Sequence, residues 1–318
     1  MRKFKLNRIT AALRQMTMVE RKAVAAELAA MDAQPASTAI LEERFASAAV
    51  CPHCAAERVI RHGHANGLQR YRCRDCGKTF NALTGTALSR LHQRGKWLDQ
   101  ATALQDGLPL RQVADDLNIH VSTAHRWRHR FLALPQTLQA HHLSGIAEAD
   151  ETVFLLSFKG KRSGLDRKAR KRGGKASKRG MSSEQVPVLV ARDRSGATMD
   201  CILPAIDGAT LSAVLKPVLA ADVVLCTDGS LALAAAAREI GVEHHAVNLS
   251  AGIRVDGAWH VQNVNAYHSR LKFWIHKFRG VATCYLASYL GWFRALDRAP
   301  AGGLKPAQWL AMALGGVA

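Results

Sequence analysis

Four cysteines in the first quarter of the chain constrain its folding more than any other feature. Cys51 and Cys54 form one Cys-x-x-Cys pair, and Cys73 and Cys76 form a second pair after eighteen intervening residues. Two such pairs supply four thiolates, the ligand set of a closed tetrahedral zinc site. A segment this short cannot bury enough apolar surface to fold alone, so the metal would supply folding energy. The spacing predicts a ribbon over residues 49–90 with one structural Zn²⁺; four free thiols are the alternative.

Composition limits the possible classes of protein. The 318 residues carry a net charge of +19 and 48% hydrophobic residues, enough for two or three domains. This charge favours a polyanionic partner, most often nucleic acid, over a merely basic protein. The other three cysteines stand singly, which favours a reducing cytoplasm over a disulfide framework. We find neither a signal-peptide pattern nor an apolar run of ~18 residues, so we expect no membrane span.

Residues 1–48 are predicted to be helical. Thr17 and Glu20 match a capping box that opens an Ala-rich helix through about Met31. A second short helix is expected after Ser37. The sequence indicates no specific role for this segment.

Three predicted helices between residues 91 and 140 have the spacing of a helix-turn-helix. The first ends near Gln105, the second covers 110–117, and the third covers 123–131 behind a capping Ser122. A helical hairpin with a solvated basic face is the alternative. The exposed face of the third helix is expected to contact DNA, with two arginines reading base edges. Its basic residues are His125, Arg126, Arg128, His129 and Arg130, of which Arg126 and Arg130 are the base-edge candidates.

A strongly basic insertion is expected at residues 159–180. Between Lys159 and Arg179 there are eleven Lys or Arg and one acid, so this stretch contributes +10 of the total charge. Such a segment has almost nothing to bury and is predicted to be a flexible, phosphate-contacting arm, or a solvated hairpin without a role. The contacts are assigned to Lys159, Lys161, Arg162, Arg167, Lys168, Arg170, Lys171 and Arg172.

Residues 145–298 read as an α/β layer. Three strand-like segments are followed by helix, strand, helix, strand and helix, the order of a ribonuclease-H-like domain. Alternation places Glu148 and Asp150 on one strand face, and an apolar strand delivers Asp228 at its carboxyl end. Two carboxylates at the ends of adjacent strands can hold Mg²⁺, alone or as a pair of ions. A solvated strand-end acid is the alternative for Asp150.

These motifs, taken in order, resemble a known family. The chain is similar to insertion-sequence transposases of bacteria in the DDE-type, retroviral-integrase-like superfamily, and most similar to the ISXO-two-like group (insertion-sequence family fifteen ninety-five). The resemblance extends over roughly residues 50–296. The segments that carry it are 71–86, 123–130, 148–152, 227–229, 260–272, 278–283 and 289–293.

The resemblance implies an activity and its site residues. It implies binding to the terminal inverted repeats in double-stranded DNA, then cleavage and strand transfer into target DNA with two Mg²⁺ or Mn²⁺ ions. A homodimer or larger synaptic complex, associated with the bacterial nucleoid, is expected. Asp150 and Asp228 match the first two metal ligands, Asn265 takes the third position, where much of the superfamily has Glu, and Lys272 matches the trailing lysine.

Alternatives remain for the third ligand and for the function. After Glu243 the chain has no further glutamate, which leaves Glu243 itself and Asp256 as replacements for Asn265. Asn265 could also be a helix-surface residue in a decayed copy. Two other functions remain possible: a DNA-binding regulator without catalysis, and a nuclease of the same fold. The last segment, 299–318, is expected to be a tail.

Overall fold

A computed structural model describes residues 2–46, 49–161, 163–165, 176–178, 182–247, 252 and 255–315. The chain forms two compact units, one of residues 1–134 with 303–318 and one of residues 135–302. In the described residues, no helix is both long and apolar enough to cross a membrane.

Two helices begin the first unit, α1 (Arg2–Gln15) and α2 (Met18–Ala46). The capping box is confirmed, because Glu20 N–H donates to Thr17 Oγ1 and Thr17 N–H donates to the Glu20 carboxylate. The expected break near Ser37 was wrong. Ser37 and Leu41 are buried, so tertiary packing holds one continuous helix through this point.

The ribbon is a three-stranded antiparallel sheet of β1 (Val59–Ala65), β2 (Leu68–Cys73) and β3 (Thr79–Asn81). Asn66 and Gly67 join β1 to β2 with positive φ values of 51° and 68°, the backbone that a tight right-twisted hairpin requires. The ribbon also packs on α2. The ring centroids of Phe45 on α2 and Tyr71 are 4.4 Å apart with the rings tilted by 42°, and the Glu42 carboxylate accepts Gln69 N–H at 2.9 Å.

Three helices follow: α3 (Trp97–Gln105), α4 (Leu110–Asp116) and α5 (Val121–Phe131). The helix-turn-helix prediction is confirmed in its spacing. The predicted cap was wrong, because α5 begins two residues earlier and the His120 side chain accepts Ser122 N–H. Trp97 and Trp127 are fully buried and form the centre of this small helical core.

The second unit is built on a five-stranded sheet in the order β6-β5-β4-β7-β8. The strands are β4 (Ile146–Leu155), β5 (Gln185–Asp193), β6 (Thr198–Ile202), β7 (Val224–Thr227) and β8 (Glu243–Ala246). Strands β4, β5 and β6 form an antiparallel meander, and β7 and β8 lie parallel to β4. This is the ribonuclease-H-like order that the sequence predicted.

Helices cover both faces of this sheet, and the alternation along β4 assigns each residue to a face. Ala147 and Ala149 belong to a buried apolar cluster with residues of α6 (Gly208–Leu215) and α7 (Leu231–Ile240). The opposite face, with Glu148 and Asp150, is covered by α8 (Gln262–His276), while α9 (Leu286–Asp297) packs on β6. Glu148 and Asp150 therefore point toward α8.

The expected C-terminal tail contains α10 (Pro306–Ala313), which belongs to the first unit and packs on α3. Trp309 is fully buried, and its indole N–H donates to Gln105 Oε1 at 3.0 Å. Leu304 N–H donates to the same oxygen. A buried tryptophan with a satisfied N–H makes this segment part of the core.

Candidate functional site

Asp150 lies on β4, and Asp228 directly follows the neighbouring parallel strand β7. The register pairs Ile146 with Val224 and Glu148 with Cys226. Continued by two residues, it places Asp150 beside Asp228, just past the end of β7. The Asp150 side chain is 18% exposed, so it lies at the rim of the sheet, where a ligand can reach it.

A third carboxyl group crowds this edge. Burial, followed by the negative charges of Asp150 and Asp228, raises the pKa of Glu151 to about 7. Glu151 Oε1 is buried and has no hydrogen-bond partner among the described residues. Like charges gathered in this way repel one another unless a cation joins them, and oxygen donors suit a hard divalent cation. These carboxylates offer the kind of oxygen donor that Mg²⁺ or Mn²⁺ takes, and among the described residues only the four cysteines form a group of three or more ligand atoms already within metal-binding distance of one another.

Helix α8 brings a third set of residues to the same edge. Asn265, His268 and Lys272 are spaced at i, i+3 and i+7, so they share one side of the helix. His268 Nδ1 lies 3.5 Å from Asp150 Oδ2. Asn265 is exposed one turn before this contact, and Lys272 is exposed one turn after it. No sequence pattern singles out His268, because a lone histidine on an apolar helix face is usually a packing residue.

The two acidic alternatives to Asn265 lie elsewhere. Glu243 pairs with Val224 at the beginning of β7, whereas Asp228 follows the end of β7. Glu243 therefore lies at the opposite end of these parallel strands from Asp228. The Asp256 side chain is 72% exposed, and its backbone bridges to Trp259 ahead of α8. Neither carboxylate is placed beside Asp150 by these elements.

The four cysteines of the ribbon meet at one point. Their Sγ atoms all lie within 4.8 Å of one another, with 3.7 Å between Cys51 and Cys76 and 3.6 Å between Cys54 and Cys73. A tetrahedral site with Zn–S bonds of about 2.3 Å has S···S edges of about 3.8 Å. The cluster therefore fits a structural zinc ion.

Fewer basic side chains of α5 are exposed for DNA contact than the sequence predicted. Arg126 and Arg130 are exposed, but Arg128 is buried and donates from Nη2 to the Leu108 carbonyl at 2.7 Å. The expected exposure of Arg128 was therefore wrong, because its guanidinium stabilises the loop before α4. Burial lowers the pKa of His125, and burial together with His125 and Arg128 lowers the pKa of His129 to about 4. Both shifts favour the uncharged imidazole at pH 7.

The basic insertion is described only in part. Lys159 Nζ donates to the carbonyl oxygens of Phe278 and Gly280, each at 2.7 Å, so this lysine ties the start of the insertion to the turn after α8. The residue is exposed, and its assignment as a phosphate contact stays a prediction. Lys161 is exposed, with its ammonium 6.0 Å from the Phe158 ring centroid. The remaining predicted contacts lie outside the described residues: Arg162, Arg167, Lys168, Arg170, Lys171 and Arg172.

A zinc-ribbon cluster, a helix-turn-helix and a mixed sheet with paired carboxylates together define a DNA-acting transposase. Residues 142–294 match the ISXO2-like transposase domain, residues 93–134 a homeodomain-like domain, and residues 45–77 the InsA N-terminal domain. The chain is 31% identical, over 267 residues, to an uncharacterized protein in transposable element ISH50 of Halobacterium salinarum. The match covers 81% of this chain and 88% of that protein. The chain belongs to the ISXO2-like transposases.

Solved structures resemble this chain only weakly. A pre-cleavage Mos1 transpososome matches at 14% identity over 63% of this chain and 78% of that chain, with a TM-score of 0.21. A Mos1 paired-end complex with the left transposon end matches at 14% identity over 68% of this chain and 77% of that chain, with a TM-score of 0.22. Similarity this low carries no argument about the site.

Proposed function

We propose that this transposase cleaves DNA at the ends of its element and joins those ends to target DNA, using Asp150, Asp228 and Asn265 to hold two Mg²⁺ or Mn²⁺ ions. The observation that carries the proposal is the register of β4 and β7, which sets two carboxylates side by side at the edge covered by α8. The closeness of the Asp150 and Asp228 charges to Glu151, which contributes to the raised pKa of Glu151, also supports a cation there.

The residues of the site have separate roles in this proposal. Asp150, Asp228 and Asn265 would hold the divalent ions, which when bound would supply activation of the attacking hydroxyl and stabilisation of the leaving oxygen. Asn265 contributes a neutral amide oxygen, so the ligand set has one negative charge fewer than a set with Glu. His268 contacts Asp150 and holds its carboxylate in place. Lys272, exposed on the same side of α8, binds a DNA phosphate.

The first unit supplies DNA recognition. Arg126 and Arg130 on α5 contact the inverted repeat in the major groove, and the insertion that includes Lys161 contacts phosphates without reading sequence. The partners are the element ends and target DNA in the cytoplasm. A homodimer, or a larger assembly, holds two ends together during transfer.

A joining assay with labelled element ends, a target plasmid and Mg²⁺ or Mn²⁺ tests the function. Joined products are expected. Cuts without joining would establish a nuclease, and shifted bands without cuts would establish a regulator. Asp150→Asn should abolish joining, whereas the matched control Asp222→Asn, at an exposed aspartate before β7, should not.

Variants at Asn265 test the third ligand. Asn265→Ala should abolish joining and leave end binding unchanged, because it removes a proposed metal ligand and leaves the helix-turn-helix intact. Asn265→Asp keeps an oxygen donor at the same position and should retain activity. Joining at the wild-type rate by the Ala variant would remove Asn265 from the site.

A further inference from the structure

Glu148 is a fully buried carboxylate two residues before Asp150. Its Oε2 accepts Val264 N–H at 2.9 Å, and its Oε1 accepts Asn263 Nδ2 at 3.0 Å. Two basic side chains also approach Oε1: Arg194 Nη1 at 2.9 Å and His260 Nδ1 at 3.3 Å. Every close donor is therefore on α8, immediately before it, or on the turn after β5.

A buried charge with this set of partners is held firmly. An ionised carboxylate costs several kcal/mol to bury unless hydrogen bonds and cations replace its water. Here an amide of the first turn of α8 points at the carboxylate, where the positive end of the helix dipole also favours an anion. Both oxygens are occupied by protein donors, so Glu148 has no role as a metal ligand in this arrangement.

The two contacts between β4 and α8 are separated by nearly the same distance along the strand and along the helix. Glu148 and Asp150 are two residues apart on β4, about 6.6 Å along a strand. Their partners Val264 and His268 are four residues apart on α8, about 6 Å along a helix. The two contacts can therefore form together only when α8 runs alongside β4 in one register. Asn265 follows Val264 directly, so its position depends on the first contact.

We propose that Glu148 is a positioning residue, which pins the first turn of α8 to β4 and thereby sets Asn265 beside Asp150 and Asp228. The inference rests on the proposed function, because Asn265 matters only if it serves the metal site. Glu148 touches neither DNA nor metal and acts through the backbone of α8.

Three variants of the full chain test this role. Glu148→Ala removes every contact, and Glu148→Gln keeps one oxygen that can accept Val264 N–H but loses the charge that faces Arg194. The matched control is Asp193→Asn, at another buried carboxylate that accepts backbone N–H groups, from Ser195 and Ala197, and has no hydrogen bond to α8.

Hydrogen exchange and Mn²⁺ calorimetry give readouts that need no DNA. Glu148→Ala should increase exchange of the Val264 amide selectively and weaken Mn²⁺ binding about 10–100-fold, the usual effect of losing a supporting contact behind a metal ligand. Glu148→Gln should show the same two changes, in Val264 exchange and in Mn²⁺ affinity, to a smaller extent. Strand transfer should fall in the same order, with end binding unchanged, and Asp193→Asn should leave the Val264 amide and Mn²⁺ affinity as in wild type.

Two results would overturn the inference. One is wild-type Mn²⁺ affinity, or a wild-type Val264 exchange rate, in Glu148→Ala. The other is an equal loss in Asp193→Asn, which would show general destabilisation. A wild-type protein that binds Mn²⁺ but joins no DNA would refute the proposed function instead, and the Mn²⁺ comparison would still decide the role of Glu148.

Discussion

Two exposed arginines of α5 should affect DNA binding but not folding, whereas the buried arginine between them should affect folding but not DNA binding. Arg126 and Arg130 are exposed, whereas Arg128, between them, is 2% exposed. Each lost phosphate contact lowers the slope of log K against log salt concentration by about 0.9, so a double Ala variant at the exposed pair should lose about 1.8. If each arginine instead reads a guanine, its loss costs about 1–3 kcal/mol and relaxes the sequence preference at that base. The fold should be unaffected.

Arg128→Met should lower the stability of the fold and leave DNA binding unchanged. The substitution keeps an apolar stem in the core but removes the charged donor to the Leu108 carbonyl. A hydrogen bond to a charged group contributes about 1.5–3 kcal/mol, so the free energy of unfolding should fall by about that amount. The slope of DNA affinity against salt should stay as in wild type, because a buried guanidinium neutralises no phosphate.

Fluorescence anisotropy and urea unfolding measure the two quantities. Affinity for a labelled inverted-repeat duplex would be measured between about 50 and 200 mM salt, where such slopes are well defined. The reasoning fails if Arg128→Met lowers the slope as much as Arg126→Ala while leaving the urea midpoint unchanged. It also fails if the double variant at Arg126 and Arg130 keeps both the wild-type slope and the wild-type sequence preference.

Three further predictions concern stability. Cys73→Ser should release zinc, measured by elemental analysis, and unfold the ribbon while sparing the second unit; full zinc retention would contradict this. Because the pKa of His129 is about 4 in the folded state against an ordinary 6.5, the unfolded state binds more protons between these values, and stability should fall as pH drops from 6.5 to 4. His129→Gln should flatten that dependence in urea titrations, and an unchanged curve would exclude His129 as its source. Gly291→Ala should destabilise the second unit by about 1–3 kcal/mol, since its Cβ would lie 2.3 Å from Gln136 Cα; an unchanged urea midpoint would refute the close approach.

Local patterns predicted much of the fold. The capping box at Thr17, the cysteine spacing and the alternation along β4 each report on a few neighbouring residues, and all three appear in the structure. The order of the strands in the sheet could also be predicted, because two apolar strands and the helices between them allow few topologies. Asp150 and Asp228 were within reach of sequence reasoning for the same reason.

Long-range contacts explain what the sequence could not predict. Arg128 borders the apolar face of α5, and only the position of the Leu108 carbonyl decides that it turns inward. Lys159 reads as one more arm residue until the end of α8 is placed beside it. His268 gains meaning only from its contact with Asp150, more than a hundred residues away. The role of Asn265 stays a prediction.

The position of α10 affects the order in which the first unit can fold during synthesis. Trp309 fills the core beside α3, yet it leaves the ribosome after all of residues 135–302. Until then the side-chain oxygen of Gln105 lacks both the Trp309 and the Leu304 donors. A nascent chain therefore cannot complete this core while the second unit is being made. A chain ended early by a frameshift lacks the last piece of its first unit, so truncated products should be poorly folded rather than acting as competing DNA binders.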